Sequence, residues 1–180
     1  RLRQLLSWYR RQIAELGIEV KFNTEVKDIS SLKEDEIVVA TGAKPRILRS
    51  VPGYEKMIEA TDYLTGTPVG NTVAVIGGGL TGCEIAYELA LMGKKPIIVE
   101  MKDDLVSQKG VCLANSSYLR EWFDLNKTPV YLETKLKEVG DGYILVTRKD
   151  GNETKILCDS VISSAGYVPA PIAAKGNVHL

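Results

Sequence analysis

The chain has 180 residues, and its 23 basic and 23 acidic side chains cancel to a formal net charge of zero. This balance gives no electrostatic reason to expect binding to nucleic acid or to an anionic membrane. No apolar run reaches the roughly 18 to 20 residues that a membrane-spanning helix needs. The three cysteines form no Cys-x-x-Cys pair and the one histidine is penultimate. We therefore predict no metal site, no histidine-based triad, and free thiols in a reducing cytoplasm.

The N-terminal part of the chain contains a strong helical pattern followed by weaker strand patterns. Apolar residues recur every three or four positions over 2–16 and predict an amphipathic helix. Alternation over 18–22 predicts a strand, and the apolar run at 37–40 predicts a short buried strand. Residues 43–70 are rich in proline and glycine, as expected where a chain crosses between domains.

A glycine-rich turn follows the apolar, β-branched run at 73–76. Such a run predicts a buried parallel strand. Each glycine of the turn has a physical role in a dinucleotide-binding motif: Gly77 allows the tight turn, Gly79 lets the backbone approach a pyrophosphate, and Gly82 lets the next helix pack closely on the sheet. The sequence therefore predicts a phosphate cradle at this turn.

A helix is predicted from this turn to about Met92, and a second strand follows at 96–99. The first N–H groups of the helix, including those of Leu80 and Thr81, would face the phosphates together with the positive end of the helix dipole. The alternative is an ordinary strand–helix–strand turn without a ligand. That alternative leaves the paired glycines unexplained.

Glu100 follows the second strand, 18 residues after Gly82. An acidic residue about 20 positions after the glycines accepts hydrogen bonds from the ribose hydroxyls of NAD. A carboxylate would repel the 2′-phosphate of NADP, so the sequence favours NAD. Lys102 could tolerate a phosphate, or it is simply a solvated loop charge.

The remaining elements complete an α/β architecture. We predict a helix over 113–125, a third parallel strand near 130–132, and a return strand at 160–163. Between the third parallel strand and the return strand, three runs alternate apolar and polar residues and are separated by Asp-Gly turns. They predict an antiparallel meander. The fold class is therefore a Rossmann-like parallel sheet with an antiparallel β-meander.

Three segments resemble the flavoproteins in which an NAD(P)-binding domain is inserted into an FAD-binding domain. Residues 37–46 are similar to the segment where such a chain leaves the FAD domain, residues 77–84 to the NAD fingerprint with its additional glutamate, and residues 161–169 to the segment that returns. More narrowly, residues 99–105 and 109–115 resemble NADH:flavin oxidoreductases of the 2,4-dienoyl-CoA reductase type.

The resemblance implies three parts: a partial FAD-domain segment at 1–66, an NAD(P)-binding domain at 67–166, and a return into the FAD domain at 167–180. The glycine fingerprint expected of the FAD domain is not among these residues, and the chain begins with Arg1 rather than Met. We therefore expect a piece of a longer protein, with an incomplete FAD site.

The resemblance also implies roles for residues outside the glycine turn. Ala165 and Gly166 would lie near the nicotinamide, and Thr41 and Gly42 would approach FAD. Glu84 would lie near the nicotinamide end. An equally good interpretation of Glu84 is a carboxylate in the first helical turn, favoured by the helix dipole.

The function implied by the resemblance is electron transfer. NADH would pass hydride to FAD, and electrons would continue through an iron–sulfur cluster to FMN and an enoyl-thioester-like substrate. The partners would be the nicotinamide dinucleotide and the rest of the same polypeptide. The alternatives are a flavin disulfide reductase or NADH oxidase-like enzyme, and a non-catalytic NAD-sensing module.

Overall fold

The structure is a computed structural model that describes residues 2–170 and the backbone of the strand at 178–179. Its α-helices are α1 (Leu2–Glu15), α2 (Ala60–Leu64), α3 (Leu80–Leu91) and α4 (Leu113–Leu125). Its strands are β1 (Ile37–Val38), β2 (Ala43–Pro45), β3 (Ile58–Glu59), β4 (Thr72–Ile76), β5 (Lys95–Val99), β6 (Val130–Tyr131), β7 (Thr134–Gly140), β8 (Tyr143–Arg148), β9 (Glu153–Leu157), β10 (Ser160–Ser163), β11 (Tyr167–Pro169) and β12 (Val178–His179). Two short 3-10 helices lie at Ile29–Ser31 and Tyr54–Lys56.

The chain divides into two compact units. Among the described residues, one contains 2–41 and the strand at 178–179, and the other is Gly42–Ala170. Strand β3 and helix α2 precede residue 67 and nevertheless belong to the same unit as the glycine turn. The three-part division expected from the resemblance remains a prediction.

Two strands predicted in the smaller unit differ from the structure. Helix α1 forms as expected, but residues 18–22 form no strand, and Phe22 is 81% exposed. Only Ile37 and Val38 of the run 37–40 are in a strand, β1, which pairs in parallel with β12. Val38 is 76% exposed rather than buried. Alternation alone does not form a strand, because a strand also needs a neighbour to complete its backbone hydrogen bonds.

The larger unit is organised around a parallel sheet of five strands in the order β3-β10-β4-β5-β6. Strand β10 comes late in the chain and pairs with both β3 and β4. The carboxyl ends of the strands therefore share one edge, where ligands bind in open α/β sheets. The predicted Rossmann-like fold is confirmed.

Helices cover one face of this sheet, and the meander covers the other. Successive residues of a strand point to opposite faces. On one face, Val73 and Val75 of β4 pack with buried residues of α3 and α4, including Leu89 and Phe123. On the other face, alternate residues of the same strands join a second core with the meander. That core contains Ala74, Ile76, Val99, Val139, Ile144, Val146, Ile156, Cys158 and Val161.

The predicted meander forms as a three-stranded antiparallel sheet in the order β7-β8-β9. A separate antiparallel pair, β2 with β11, joins the two connections that flank the parallel sheet. Asp159 ties the meander to the sheet, because its Oδ2 accepts hydrogen bonds from the N–H groups of Asn71 and Thr72 at 3.0 and 2.7 Å. No helix within the described residues is both long and apolar enough to cross a membrane.

Candidate dinucleotide-binding site

A cavity of about 710 Å³ opens at the carboxyl ends of the parallel strands. It gathers eight of the predicted site residues: Gly77, Gly79, Leu80, Thr81, Glu100, Lys102, Ala165 and Gly166. They come from three separate stretches of the sequence. The sheet brings them together because β10 lies beside β4 and β4 beside β5.

The glycine turn requires glycine at two positions for steric reasons. Gly77 has a φ of +108°, and a Cβ there would lie 2.4 Å from the carbonyl oxygen of Ser164. A Cβ at Gly82 would lie only 1.9 Å from the carbonyl oxygen of Gly77. The first helical turn of α3 therefore packs directly against the chain that leaves β4, as the motif predicts.

Gly79 occupies a different environment, because it faces the cavity. It is the N-cap of α3 with a φ of −69°, which any residue adopts. A Cβ there would lie 2.3 Å from the Gln108 carboxamide nitrogen. Its three nearest atoms would all belong to the Gln108 side chain rather than to the backbone. No side chain caps this end of α3 and no acidic residue lies in its first turn. The first N–H groups of α3 are thus available to an anion, and a pyrophosphate fits over Gly79 when the flexible Gln108 side chain moves aside.

Glu100 is held in the cavity wall by the backbone around it. The residue is 8% exposed, and its carboxylate accepts hydrogen bonds from the N–H of Gly78 at 2.6 Å and from the N–H of Lys102 at 2.8 Å. These two bonds use different oxygens, and each oxygen retains a second lone pair. The carboxylate can therefore accept ribose hydroxyls without giving up its contacts with the glycine turn.

The loop after β5 lies against the glycine turn, which local sequence patterns do not reveal. The N–H of Val106 donates to the carbonyl of Gly78 at 2.8 Å. Arg120 of α4 holds this loop by donating to the carbonyl of Leu105 at 2.9 and 2.6 Å and by pairing with Asp104 at 2.8 Å. Ser107 and Gln108 consequently line the cavity. No sequence signal marks them, because the contact depends on how α4 packs.

The other predicted residues lie away from the cavity lining. Gly82 is buried beneath it at the start of α3, and Glu84 is exposed on the same helix, beyond the first turn in which it was predicted. Thr41 and Gly42 fall at the division between the two units and do not line the cavity. The structure therefore supports a role for Gly82 in packing and brings neither Glu84 nor the Thr41–Gly42 pair to this site.

Two lining residues that sequence reasoning missed are Glu59 of β3 and Ser163 of β10. Burial raises the pKa of Glu59, with a further increase from Asp62, while the nearby Ser163 hydroxyl acts in the opposite direction. The Ser163 Oγ is buried and forms no well-aligned hydrogen bond with any described residue. Nothing marks the pair in the sequence, because more than 100 residues separate them.

Neutralising Glu59 is expected to stabilise the folded chain. Because the pKa of Glu59 is raised by folding, its ionisation opposes folding above that pKa and has no effect well below it. Glu59→Gln should therefore raise the melting temperature at pH 7, and the gain should disappear as the pH falls through the raised pKa. Thermal melts over this pH range, with the exposed Glu121→Gln as a control, measure the effect. A gain that is the same at every pH would contradict the assignment.

The two buried cysteines do not provide a reactive thiol here. Burial, with a smaller contribution from the Glu100 carboxylate, raises the pKa of the Cys83 thiol to about 12. Burial likewise raises the pKa of the Cys158 thiol. Both therefore remain protonated at neutral pH and are weak nucleophiles.

A parallel sheet, a glycine turn that starts a helix, and an acidic residue at the end of the next strand together define a Rossmann-type dinucleotide-binding domain. Comparison with protein families specifies the class further. The chain belongs to the pyridine nucleotide-disulphide oxidoreductase family, whose model matches residues 30–180. This is a family of oxidoreductases, and the match confirms the flavoprotein resemblance.

The relatives include a cinnamate reductase, an NADH oxidase and several dihydrolipoyl dehydrogenases. Cinnamate reductase of Clostridium sporogenes is 36% identical over 171 residues, which covers 92% of this chain and 25% of that protein. NADH oxidase of Thermoanaerobacter brockii is 36% identical over 107 residues, covering 54% of this chain and 16% of that protein. The chain thus spans about a quarter of the first relative and less of the second.

Solved structures agree with the fold. A 2-naphthoyl-CoA reductase superposes with a TM-score of 0.72 at 25% identity, covering 89% of this chain and 24% of that one. A bacillithiol disulfide reductase of Bacillus cereus superposes with a TM-score of 0.70 at 21% identity, covering 93% of this chain and 57% of that one. The second likeness concerns the fold alone.

Proposed function

We propose that this chain is the NAD(H)-binding part of a flavin-dependent oxidoreductase. In this role it presents the nicotinamide to FAD, from which electrons reach an FMN and iron–sulfur module that reduces an enoyl-thioester-like substrate. The observation that carries the proposal is the cradle over Gly79, which the Gln108 side chain covers, with the uncapped start of α3 on one side and the Glu100 carboxylate on the other.

Each part of the cradle has a distinct task. The N–H groups at the start of α3 bind the pyrophosphate, and the Gly77 turn positions them. Glu100 accepts hydrogen bonds from the adenosine ribose hydroxyls and would repel a 2′-phosphate, which favours NADH over NADPH. The N–H of Lys102 already donates to Glu100, so the backbone of this residue fixes the carboxylate while its exposed side chain extends into solvent.

The chain's contribution to the reaction is binding and orientation. Bound NADH supplies a hydride, and the flavin accepts it. Ala165 and Gly166 line the cavity beside the glycine turn, which supports their predicted position near the nicotinamide. The predicted roles of Glu84 near the nicotinamide and of Thr41 and Gly42 near FAD rest on the resemblance alone, since none of the three residues lines the cavity.

The substrate class is supported by the names of two similar proteins. Cinnamate contains a carbon–carbon double bond conjugated to a carboxylate, and 2-naphthoyl-CoA is an aromatic thioester. An NADH oxidase-like activity is the second candidate, because one relative carries that name. A disulfide reductase has less support from these residues, because Cys83 and Cys158 are buried and the exposed Cys112 has no neighbouring cysteine in a Cys-x-x-Cys pair.

Isothermal titration of the 180-residue chain with NADH, NADPH and FAD tests the proposal. We expect NADH to bind more tightly than NADPH, and FAD not to bind. The absence of NADH binding to a folded sample would refute the site, and a preference for NADPH would refute the role of Glu100. A yellow, flavin-containing preparation would contradict the expectation that the FAD site is incomplete.

A further inference from the structure

The carboxyl edge of the parallel sheet continues beyond the glycine turn, away from Glu100. The strand order places Glu100 after β5, Gly77 after β4, Ser163 at the end of β10 and Glu59 at the end of β3. Neighbouring strands lie about 4.8 Å apart, so Glu59 is about 14 Å from Glu100 along this edge. A dinucleotide with its adenosine ribose on Glu100 and its pyrophosphate at the turn would extend toward β10 and β3.

Ser163 carries a buried hydroxyl beside the Glu59 carboxylate, whose pKa it lowers. It is 1% exposed, lines the cavity, and its Oγ forms no well-aligned hydrogen bond with any described residue. Buried hydroxyls in folded proteins nearly always have a partner, because an unpaired one costs free energy. This hydroxyl is therefore available to a ligand that enters the cavity.

Glu59 lies directly beside Ser163 in the sheet. The two residues are paired in the parallel register of β3 and β10, and both line the cavity. A carboxylate accepts hydrogen bonds only, and a serine hydroxyl both donates and accepts. The pair therefore matches a ligand group that presents two adjacent hydroxyls, as the ribose of a nucleoside does.

We propose that Glu59 and Ser163 form a second ribose subsite, which holds the hydroxyls of the nicotinamide ribose and so positions the nicotinamide. The inference rests on the proposed function, because it takes the ligand to be NADH. In this arrangement the two ribose groups are each held by a carboxylate, Glu100 at one end and Glu59 at the other. The pyrophosphate lies between them at the start of α3.

Binding measurements with NADH, ADP-ribose and ADP test this subsite. ADP-ribose contains the second ribose without the nicotinamide, and ADP lacks both. Glu59→Gln should bind NADH and ADP-ribose about tenfold more weakly, the effect expected for a hydrogen bond to a charged group. Ser163→Ala should bind both about threefold more weakly. Neither variant should change the affinity for ADP.

Glu121→Gln is the control, because Glu121 is an exposed acidic residue of α4 that does not line the cavity. It should leave all three affinities unchanged. If Glu59→Gln weakens NADH but not ADP-ribose, the pair contacts the nicotinamide amide and the ribose assignment is wrong. Unchanged affinities for all three ligands would overturn the subsite while leaving the proposed function standing. Failure of the unsubstituted chain to bind ADP and NADH would instead refute the proposed function.

Discussion

Replacing Gly79 with valine is expected to reduce NADH affinity about tenfold to a hundredfold while leaving the fold intact. The backbone at Gly79 is extended with a φ of −69°, so valine introduces no backbone strain. Its Cβ meets only the flexible end of Gln108 in the free chain but occupies the space of the pyrophosphate in the complex. Overpacking of this kind costs about 1 to 3 kcal/mol, which corresponds to that loss of affinity. Isothermal titration with NADH measures it, and a melting curve establishes that the variant is folded.

A second glycine of the same turn provides the contrasting control. Gly82→Ala places a methyl group 1.9 Å from the backbone oxygen of Gly77, which cannot rotate away. We expect the free energy of unfolding to fall by about 2 kcal/mol. Gly142→Ala in the β7–β8 hairpin costs stability because Gly142 has a φ of +78°, but the residue does not line the cavity and the change should leave NADH binding unchanged. If Gly79→Val binds NADH as tightly as the unsubstituted chain, the pyrophosphate does not lie at the start of α3.

Glu100→Gln is expected to impair both stability and cofactor selection. The amide NH₂ of glutamine would face the N–H of either Gly78 or Lys102, because the carboxylate accepts from both. A buried donor left without an acceptor costs about 1 to 3 kcal/mol, so the free energy of unfolding should fall by that amount. Loss of the charge should weaken NADH binding about tenfold and reduce the discrimination against NADPH.

Urea unfolding and titrations with both nucleotides separate these two effects. Glu121→Gln on α4 is the control for removing an exposed carboxylate, and it should change neither quantity. A Glu100→Gln variant that still excludes NADPH as strongly as the unsubstituted chain would show that another residue sets the preference. Unchanged stability would contradict the role of Glu100 in holding the glycine turn.

The glycine turn was predictable because its determinants are local. The strand before Gly77, the helix after it and the second strand before Glu100 all lie within 30 residues, and each has its own periodicity. The meander was predictable for the same reason, since its turns are short and contain glycine. The residues 18–22 have an equally local pattern, but they have no strand partner among the described residues, and no strand forms.

The sequence by itself therefore determined the fold class, the position of the phosphate cradle and the acidic residue beside it. Only the tertiary structure placed β10 between β3 and β4, and with it the pairing of Glu59 and Ser163. The tertiary structure also brings the loop with Ser107 and Gln108 to the glycine turn, where Arg120 holds it by a hydrogen bond to the Leu105 carbonyl. The physical reason is that periodicity reports which face of an element is buried, whereas contacts between distant segments depend on which strands become neighbours.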